Sequence, residues 1–259
     1  MSLAISLRSE FLKTKRSPSW ILTLVMAAFV PLFMLLVIKE SHDGHLSDDI
    51  AKISKEGWNF YFYQGIGMIS FLFLPMFVIL ISTLLPQIEY RNHTWKQVFA
   101  SPQSLGKLYL SKFLVFQFFI LVFLIASLLL IGISCVFSGM LNPKFNYNSH
   151  ALDWQKLLAI TSKTYIAILA LSTIQFWMGL RFKSFLLPMG VGVLCYILGI
   201  INMVGYHVVD ADKYFYTFSG FIFIKQNAAK VPYVLWSSAA YATVILLLGF
   251  LDFSRAKER

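Results

Sequence analysis

Charged side chains are scarce in this sequence. Asp, Glu, Lys and Arg make up 13% of the 259 residues, whereas 58% of the residues are hydrophobic. A soluble domain carries about 25% charged residues, because its surface must be hydrated. The scarcity of charge therefore excludes an ordinary soluble domain and predicts a membrane protein.

Charge is almost absent from six long apolar runs. A helix rises about 1.5 Å per residue, so roughly 20 apolar residues cross a bilayer core of about 30 Å. The fourth run includes Lys163, whose side chain can extend to the interface. We therefore predict an all-α polytopic protein, a single membrane domain over residues 1–259, with transmembrane helices at about 20–38, 60–85, 113–137, 157–180, 185–209 and 231–251.

Several catalytic motifs are also missing. The spans have no acidic residue and no arginine at their centres, which disfavours ion-coupled carriers, because such groups carry the coupled charge. Gly106 and Lys107 resemble the end of a P-loop, but Ser101 occupies the place of its first glycine. The two cysteines, Cys135 and Cys195, lie in spans and form neither a disulfide framework nor a metal motif. We expect no ATPase activity, no catalytic residues, no metal site and no bound cofactor.

Arginine is confined to one side of the predicted topology. With six spans both termini lie on that side, together with the loops at 86–112 and 181–184. These four segments hold every arginine and 13 of the 22 basic residues, but only four of the 12 acids. Positive residues near span ends stay in the cytosol, so both termini are expected to be cytoplasmic. The net charge of +10 is explained by this distribution, and no nucleic-acid binding is expected.

The N-terminal residues 2–17 have a helical repeat of apolar side chains. Leu3, Leu7 and Phe11 recur every four residues, and polar or charged residues occupy much of the remainder. Such a helix can lie in the inner membrane interface with its apolar face towards the lipid and its basic groups near anionic headgroups. The alternative is an ordinary positively charged segment that flanks the first span.

The predicted outer segment 210–230 contains an apolar and aromatic stretch at 214–224. Eleven residues are too few to cross a bilayer. A re-entrant or interfacial helical hairpin at the outer face would bury these aromatic side chains. The alternative is an outer loop that folds back over the bundle.

The inner loop at 86–112 contains a short predicted helix at 89–100. Trp95, Val98 and Phe99 lie at i, i+3 and i+4 and form an apolar patch, while charged residues lie beside it. Pro102 ends the helix. Because aromatic residues dominate binding hot spots, the patch suits docking into a partner's groove. On composition alone, an interfacial helix whose aromatic side chains rest on lipid explains the pattern equally well.

Two stretches carry a resemblance to a known family. The first leads into the first span, and the second follows the second span and continues into the third. The residues concerned are Ser6-Leu7-Arg8-Ser9-Glu10-Phe11-Leu12-Lys13, Glu89-Tyr90-Arg91-Asn92-His93-Thr94-Trp95-Lys96, Ser101-Pro102 and Ser111-Lys112. Together they resemble the permease subunit of ABC-2-type exporters, particularly the six-span subunits associated with bacitracin and lantibiotic resistance.

The resemblance implies an export permease in the cell membrane of a bacterium. It implies a second permease subunit, identical or related, and a separate cytoplasmic ABC ATPase that binds the ATP. The substrates it implies are amphipathic peptides, antibiotics or lipid-like molecules, and the 210–230 segment would correspond to the family's outer gate helices. The residues expected to contact the ATPase are Glu89, Arg91, His93, Thr94, Trp95, Lys96 and Phe99.

Two other classes of function are compatible with the residues alone. A non-transporting membrane scaffold needs no site, and a membrane-embedded enzyme needs polar groups that converge in space. The outer loops offer few such groups, in no recognised order. An adjacent ATPase gene would favour the export permease over both.

Overall fold

The protein is described by a computed structural model, in which the described residues form helices joined by short connections. The description covers residues 3–15, 17–40, 57–92, 103–141, 150–206 and 210–255. No β-strand occurs within these ranges. The prediction of an all-α fold is confirmed.

The described residues contain six helices that are long and apolar enough to cross a membrane. A shorter helix, α1, precedes them at Leu3–Thr14. The long helices are α2 Pro18–Glu40, α3 Trp58–Arg91, α4 Leu105–Leu141, α5 Trp154–Arg181, α6 Leu186–Ile201 and α8 Val231–Arg255, with the four-residue α7 at Phe218–Phe221 between the last two. Several extend beyond the predicted spans, because a helix continues past an apolar run until a residue interrupts it.

Helix α3 occupies the centre of the bundle. Helix α2 packs along α4, helix α8 packs along α5, and α3 lies against both α4 and α5. Phe77 of α3 stacks on Phe123 of α4 with ring centroids 4.4 Å apart. Gly179 of α5 approaches the α3 backbone so closely that a Cβ atom there would lie 2.2 Å from the carbonyl oxygen of Ser82. The central helix is therefore fixed by tight packing on two sides.

One turn of α3 departs from α-helical geometry. Residues Ile69–Phe73 form a π-helical turn, in which the Leu74 N–H donates to the Ile69 carbonyl. The next donor in this pattern would be the N–H of residue 75, which would bond to the Ser70 carbonyl. Pro75 has no N–H, so it cannot provide this backbone donor for the Ser70 carbonyl.

The segment after α6 folds back against this turn and supplies the missing donor. The Ser219 hydroxyl donates a buried hydrogen bond of 2.8 Å to the Ser70 carbonyl. Gly220 lies against Phe71, where a Cβ atom would come within 2.8 Å of the phenyl ring. The segment has a 3-10 turn at Phe215–Thr217, then α7, and a second 3-10 turn at Lys225–Lys230.

Candidate functional site

Four charged side chains from three helices meet at one end of the bundle. Glu10 and Lys13 come from α1, Glu89 from the last turn of α3, and Lys112 from the early turns of α4. The Glu89 carboxylate accepts from the Lys13 and Lys112 ammonium groups, each at 2.6 Å. Glu10 binds the same two lysines, with its second oxygen 3.0 Å from Lys112. We call these four residues the charge cluster.

The charge cluster is largely hidden from solvent. Glu89 is 2% exposed, and Glu10 and Lys112 are each 8% exposed. Moving an ion out of water costs several kcal/mol, so a buried charge persists only when it is well paired. Two carboxylates and two ammonium groups balance in charge, and each ammonium group bridges both acids. The cluster therefore fixes the relative positions of α1, α3 and α4.

The pKa of Lys13 reflects this arrangement. Its partial burial acts to lower the pKa, because desolvation disfavours the ammonium form. The neighbouring carboxylates of Glu10 and Glu89 outweigh that effect and hold the pKa above its ordinary value. Lys13 is therefore charged at every physiological pH.

The N-terminal helix presents a different face to the bundle from the one its sequence indicates. Ser6, Glu10 and Thr14, spaced by four residues, are its buried positions. Ser6 donates a 2.9 Å hydrogen bond to the side chain of Gln103 at the start of α4. In contrast, the apolar Leu12 is 61% exposed. The sequence did not indicate this contact of the polar side with the buried charges of α3 and α4.

The charge cluster brackets the predicted inner loop. Glu89 lies just before residues 93–102, and Gln103 and Lys112 follow them. Arg91 is exposed at the end of α3, and Asn92 ends the helix. The short helix predicted at 89–100 therefore does not begin at Glu89, because the preceding span continues through that residue. The positions of His93, Thr94, Trp95, Lys96 and Phe99 lie outside the described residues.

The other segments predicted to face inward gather at the same end. The Tyr90 hydroxyl donates to the Leu180 carbonyl at 2.7 Å, where α5 ends. At that end of α5, Arg181 forms a 2.6 Å ion pair with Asp252 of α8. Helices α3, α5 and α8 are thus joined by polar contacts near the charge cluster.

Sequence reasoning singled out Glu89 and Lys112 as part of a motif but did not pair them. It treated Glu10 and Lys13 as the polar side of an interfacial helix. The charge cluster could have been predicted from one feature of the sequence. Acidic residues are rare in the basic segments that are predicted to face the cytosol. An isolated acid beside an apolar run, where burial is expected, requires a cation as its partner.

The other half of the bundle contains an apolar cleft of about 600 Å³. Its walls come from α2, from the N-terminal half of α3 and from α7 with the residues that follow it. Apolar side chains such as Phe33 and Phe223 form most of the lining, and the polar groups include those of Tyr63 and Gln64. Ligand pockets commonly have volumes of about 300–1,000 Å³ and are mostly apolar with few polar groups. This cleft has the dimensions of a site for an apolar or amphipathic molecule.

These features define a class of protein, namely a helical membrane protein with six spans and a loop bracketed by buried charge. A family model described as "ABC-2 family transporter protein" matches residues 6–201, about three quarters of the chain. The chain belongs to this family, and it is a membrane permease component of an ABC transporter. Membership implies association with an ABC ATPase. Comparison with curated proteins and with solved structures finds no significant match.

Proposed function

We propose that the chain is the permease subunit of an ATP-driven exporter, and that a separate cytoplasmic ATPase binds the loop between α3 and α4. The observation that carries this proposal is the position of the charge cluster at both ends of that loop. Glu89 and Lys112 hold together the helices that enter and leave residues 93–102. A displacement of the loop would therefore move two spans and α1 as one unit.

The energy for transport would come from the partner. Gly106 and Lys107, the remnant of a P-loop pattern, lie in the first turn of α4. A P-loop needs a glycine five positions before Gly106 and a serine or threonine after Lys107, and Ser101 and Leu108 occupy those two positions. We assign ATP binding to the ATPase subunit.

The proposed contact with the ATPase is centred on Trp95 and Phe99. Large aromatic side chains surrounded by charge are typical binding hot spots. Arg91, His93, Thr94 and Lys96 would surround them. The Glu89 carboxylate is almost fully buried, so its part in this contact would be to position the loop through Lys13 and Lys112.

The apolar cleft supports the proposed class of substrate. Its aromatic walls and few polar groups suit an amphipathic peptide, an antibiotic or a lipid-like molecule. Export of such molecules across the cell membrane of a bacterium would confer resistance to antibiotics that act there. We propose that a second permease subunit, identical or related, completes the translocation path.

The double variant Trp95→Ala and Phe99→Ala tests the proposed contact. Each hot-spot residue contributes about 2 kcal/mol or more to binding, so the two together weaken the complex by about a thousandfold. We expect at least a tenfold loss of the ATPase that co-purifies with the tagged chain from native membranes. Substrate export should fall in parallel.

A matched control removes a tryptophan and a phenylalanine at the opposite end of the bundle. Trp154 and Phe137 are 65% and 53% exposed, and their double alanine variant should leave both co-purification and export unchanged. Full complex formation by the Trp95 and Phe99 variant would refute the proposed contact. A chain that never co-purifies with an ABC ATPase would instead indicate a scaffold.

A further inference from the structure

A second cleft separates α1 from the first turns of α2. It has a volume of about 660 Å³ and is open on one side. The residues that line it include two cations, two aromatic residues and a serine, namely Arg8, Lys15, Phe11, Trp20 and Ser17. Among the described residues, no acidic side chain lines it. The cleft lies on the side of α1 away from the charge cluster.

The two cations on this cleft are available to a ligand. Arg8 and Lys15 are seven residues apart, which places them on one side of the helix. Both are exposed, and neither has an acidic partner among the described residues. The acid of α1, Glu10, is engaged with Lys13 and Lys112 on the opposite side. The cleft therefore carries uncompensated positive charge.

A buried hydroxyl in the cleft also lacks a partner. The Ser17 Oγ atom is inaccessible to solvent and forms no hydrogen bond within the described structure. Its backbone N–H is satisfied by the Thr14 carbonyl at 3.0 Å. A buried hydroxyl without a partner costs about 1–3 kcal/mol, so such groups usually face a ligand or water. Ser17 lines the same cleft as Arg8 and Lys15, so its unpaired hydroxyl lies beside the place where an anion would bind.

The rim of the cleft is apolar and continues into the membrane-spanning part of α2. Leu12 and Ile21 are 61% and 68% exposed on either side of it. Farther along α2, Leu24 and Val25 are 54% and 59% exposed. An anion with hydrocarbon chains would place its charge between the cations and its chains along α2. A free phosphate ion would gain nothing from these apolar walls.

We propose that this cleft binds the phosphate group of an anionic phospholipid from the leaflet next to α1. Arg8 and Lys15 would hold the phosphate oxygens, Ser17 would donate a hydrogen bond, and Trp20 would lie at the headgroup level, where tryptophan is enriched. Because the other face of α1 forms the charge cluster, the bound lipid would press α1 against α3 and α4. The site does not depend on the proposed export function.

The experiment measures lipid retained by the purified chain in native mass spectrometry, with phosphatidylglycerol and phosphatidylcholine of the same acyl chains as probes. The wild-type chain should retain phosphatidylglycerol in preference to phosphatidylcholine. The double variant Arg8→Gln and Lys15→Gln should lower the affinity for phosphatidylglycerol about tenfold to thirtyfold, since each basic residue near an anionic surface contributes about a factor of five. Ser17→Ala should cause a smaller loss of about threefold.

The matched control is Lys183→Gln with Arg255→Gln, which removes two exposed cations at the same end of the bundle but away from α1. This variant should retain phosphatidylglycerol like the wild type. Both double variants replace exposed residues, so equal melting temperatures in phosphatidylcholine nanodiscs will show that both are folded. Three results would each overturn the proposal: equal retention of the two lipids by the wild type, equal loss in the control, or displacement of phosphatidylglycerol by millimolar inorganic phosphate.

Discussion

Replacing Ser219 by alanine removes the hydroxyl that serves the Ser70 carbonyl beside Pro75. The hydrogen bond is 2.8 Å long and buried, and Ser219 itself is 1% exposed. Water therefore cannot replace the lost donor. A second substitution, Pro75→Ala, restores a backbone N–H at the position from which the π-helical turn would bond to the same carbonyl. The two substitutions together test whether the Ser70 carbonyl depends on the Ser219 hydroxyl because Pro75 lacks an N–H.

The expected energies follow from the structure. A buried carbonyl left without a donor costs about 1–3 kcal/mol, and hydrogen bonds between helices in membranes average about 0.6 kcal/mol. We therefore expect Ser219→Ala to lower the free energy of unfolding by about 1 kcal/mol in the wild-type background. In the Pro75→Ala background the new N–H satisfies the carbonyl, and the cost should fall close to zero. The coupling energy of the cycle should be about 1 kcal/mol.

Reversible unfolding of the four proteins in mixed micelles, followed by circular dichroism, measures this cycle. Ser127→Ala is the matched control, because Ser127 is 1% exposed and its hydroxyl forms no hydrogen bond within the described structure. Because an unpaired buried hydroxyl costs about 1–3 kcal/mol, its removal should leave the free energy of unfolding unchanged or raise it by up to that amount, and should not lower it. An equal cost of Ser219→Ala in both backgrounds would refute the reasoning, since the Ser70 carbonyl would then not depend on residue 75.

Two further predictions concern packing and charge. Gly179→Ala should destabilise the bundle by at least about 1–3 kcal/mol in the same unfolding assay, because its Cβ would overlap the Ser82 carbonyl, whereas Gly190→Ala, with open space around it, should be neutral or slightly stabilising. Glu89→Ala should cost about 3–5 kcal/mol by leaving buried lysines with one acid, and adding Lys112→Met should recover part of that loss. A double variant no more stable than Glu89→Ala would contradict the pairing.

The number and type of the long helices could be predicted because they depend on composition over about 20 residues. Their ends could not be predicted as well. Helix α4 begins at Leu105, eight residues before the predicted span at 113–137. Lys107 and Lys112 mark the end of the apolar run, but neither interrupts a helix. The polarity of the sequence indicates where a span enters the membrane. Helix ends depend on other physical effects and cannot be read from polarity.

The charge cluster shows why the site was harder to predict than the fold. A helical repeat indicates which side chains share a face, and Ser6, Glu10 and Thr14 do share one. The repeat does not indicate what the face contacts. The partners of Glu10 and Lys13 are Lys112 and Glu89, which lie 102 and 76 positions away. Without such long-range information, the partners of this face cannot be predicted from the sequence.

The π-helical turn in α3 could be predicted in part. Pro75 predicts a disturbance of the helix, since it removes one backbone donor. It does not predict that the disturbance takes the form of a π-helical turn, because that depends on which partner satisfies the remaining carbonyl. The partner is Ser219, 149 positions away along the chain.

The charge cluster also sets an order for the biogenesis of the protein. Glu10 and Lys13 emerge from the ribosome before their partners, because Glu89 ends the second span and Lys112 lies in the early turns of the third. Until then Glu10 and Lys13 can pair only with each other, because their partners on α3 and α4 are not yet in place. Helix α1 is therefore synthesised before the two helices that bind it, and it can complete the charge cluster only when both α3 and α4 are present.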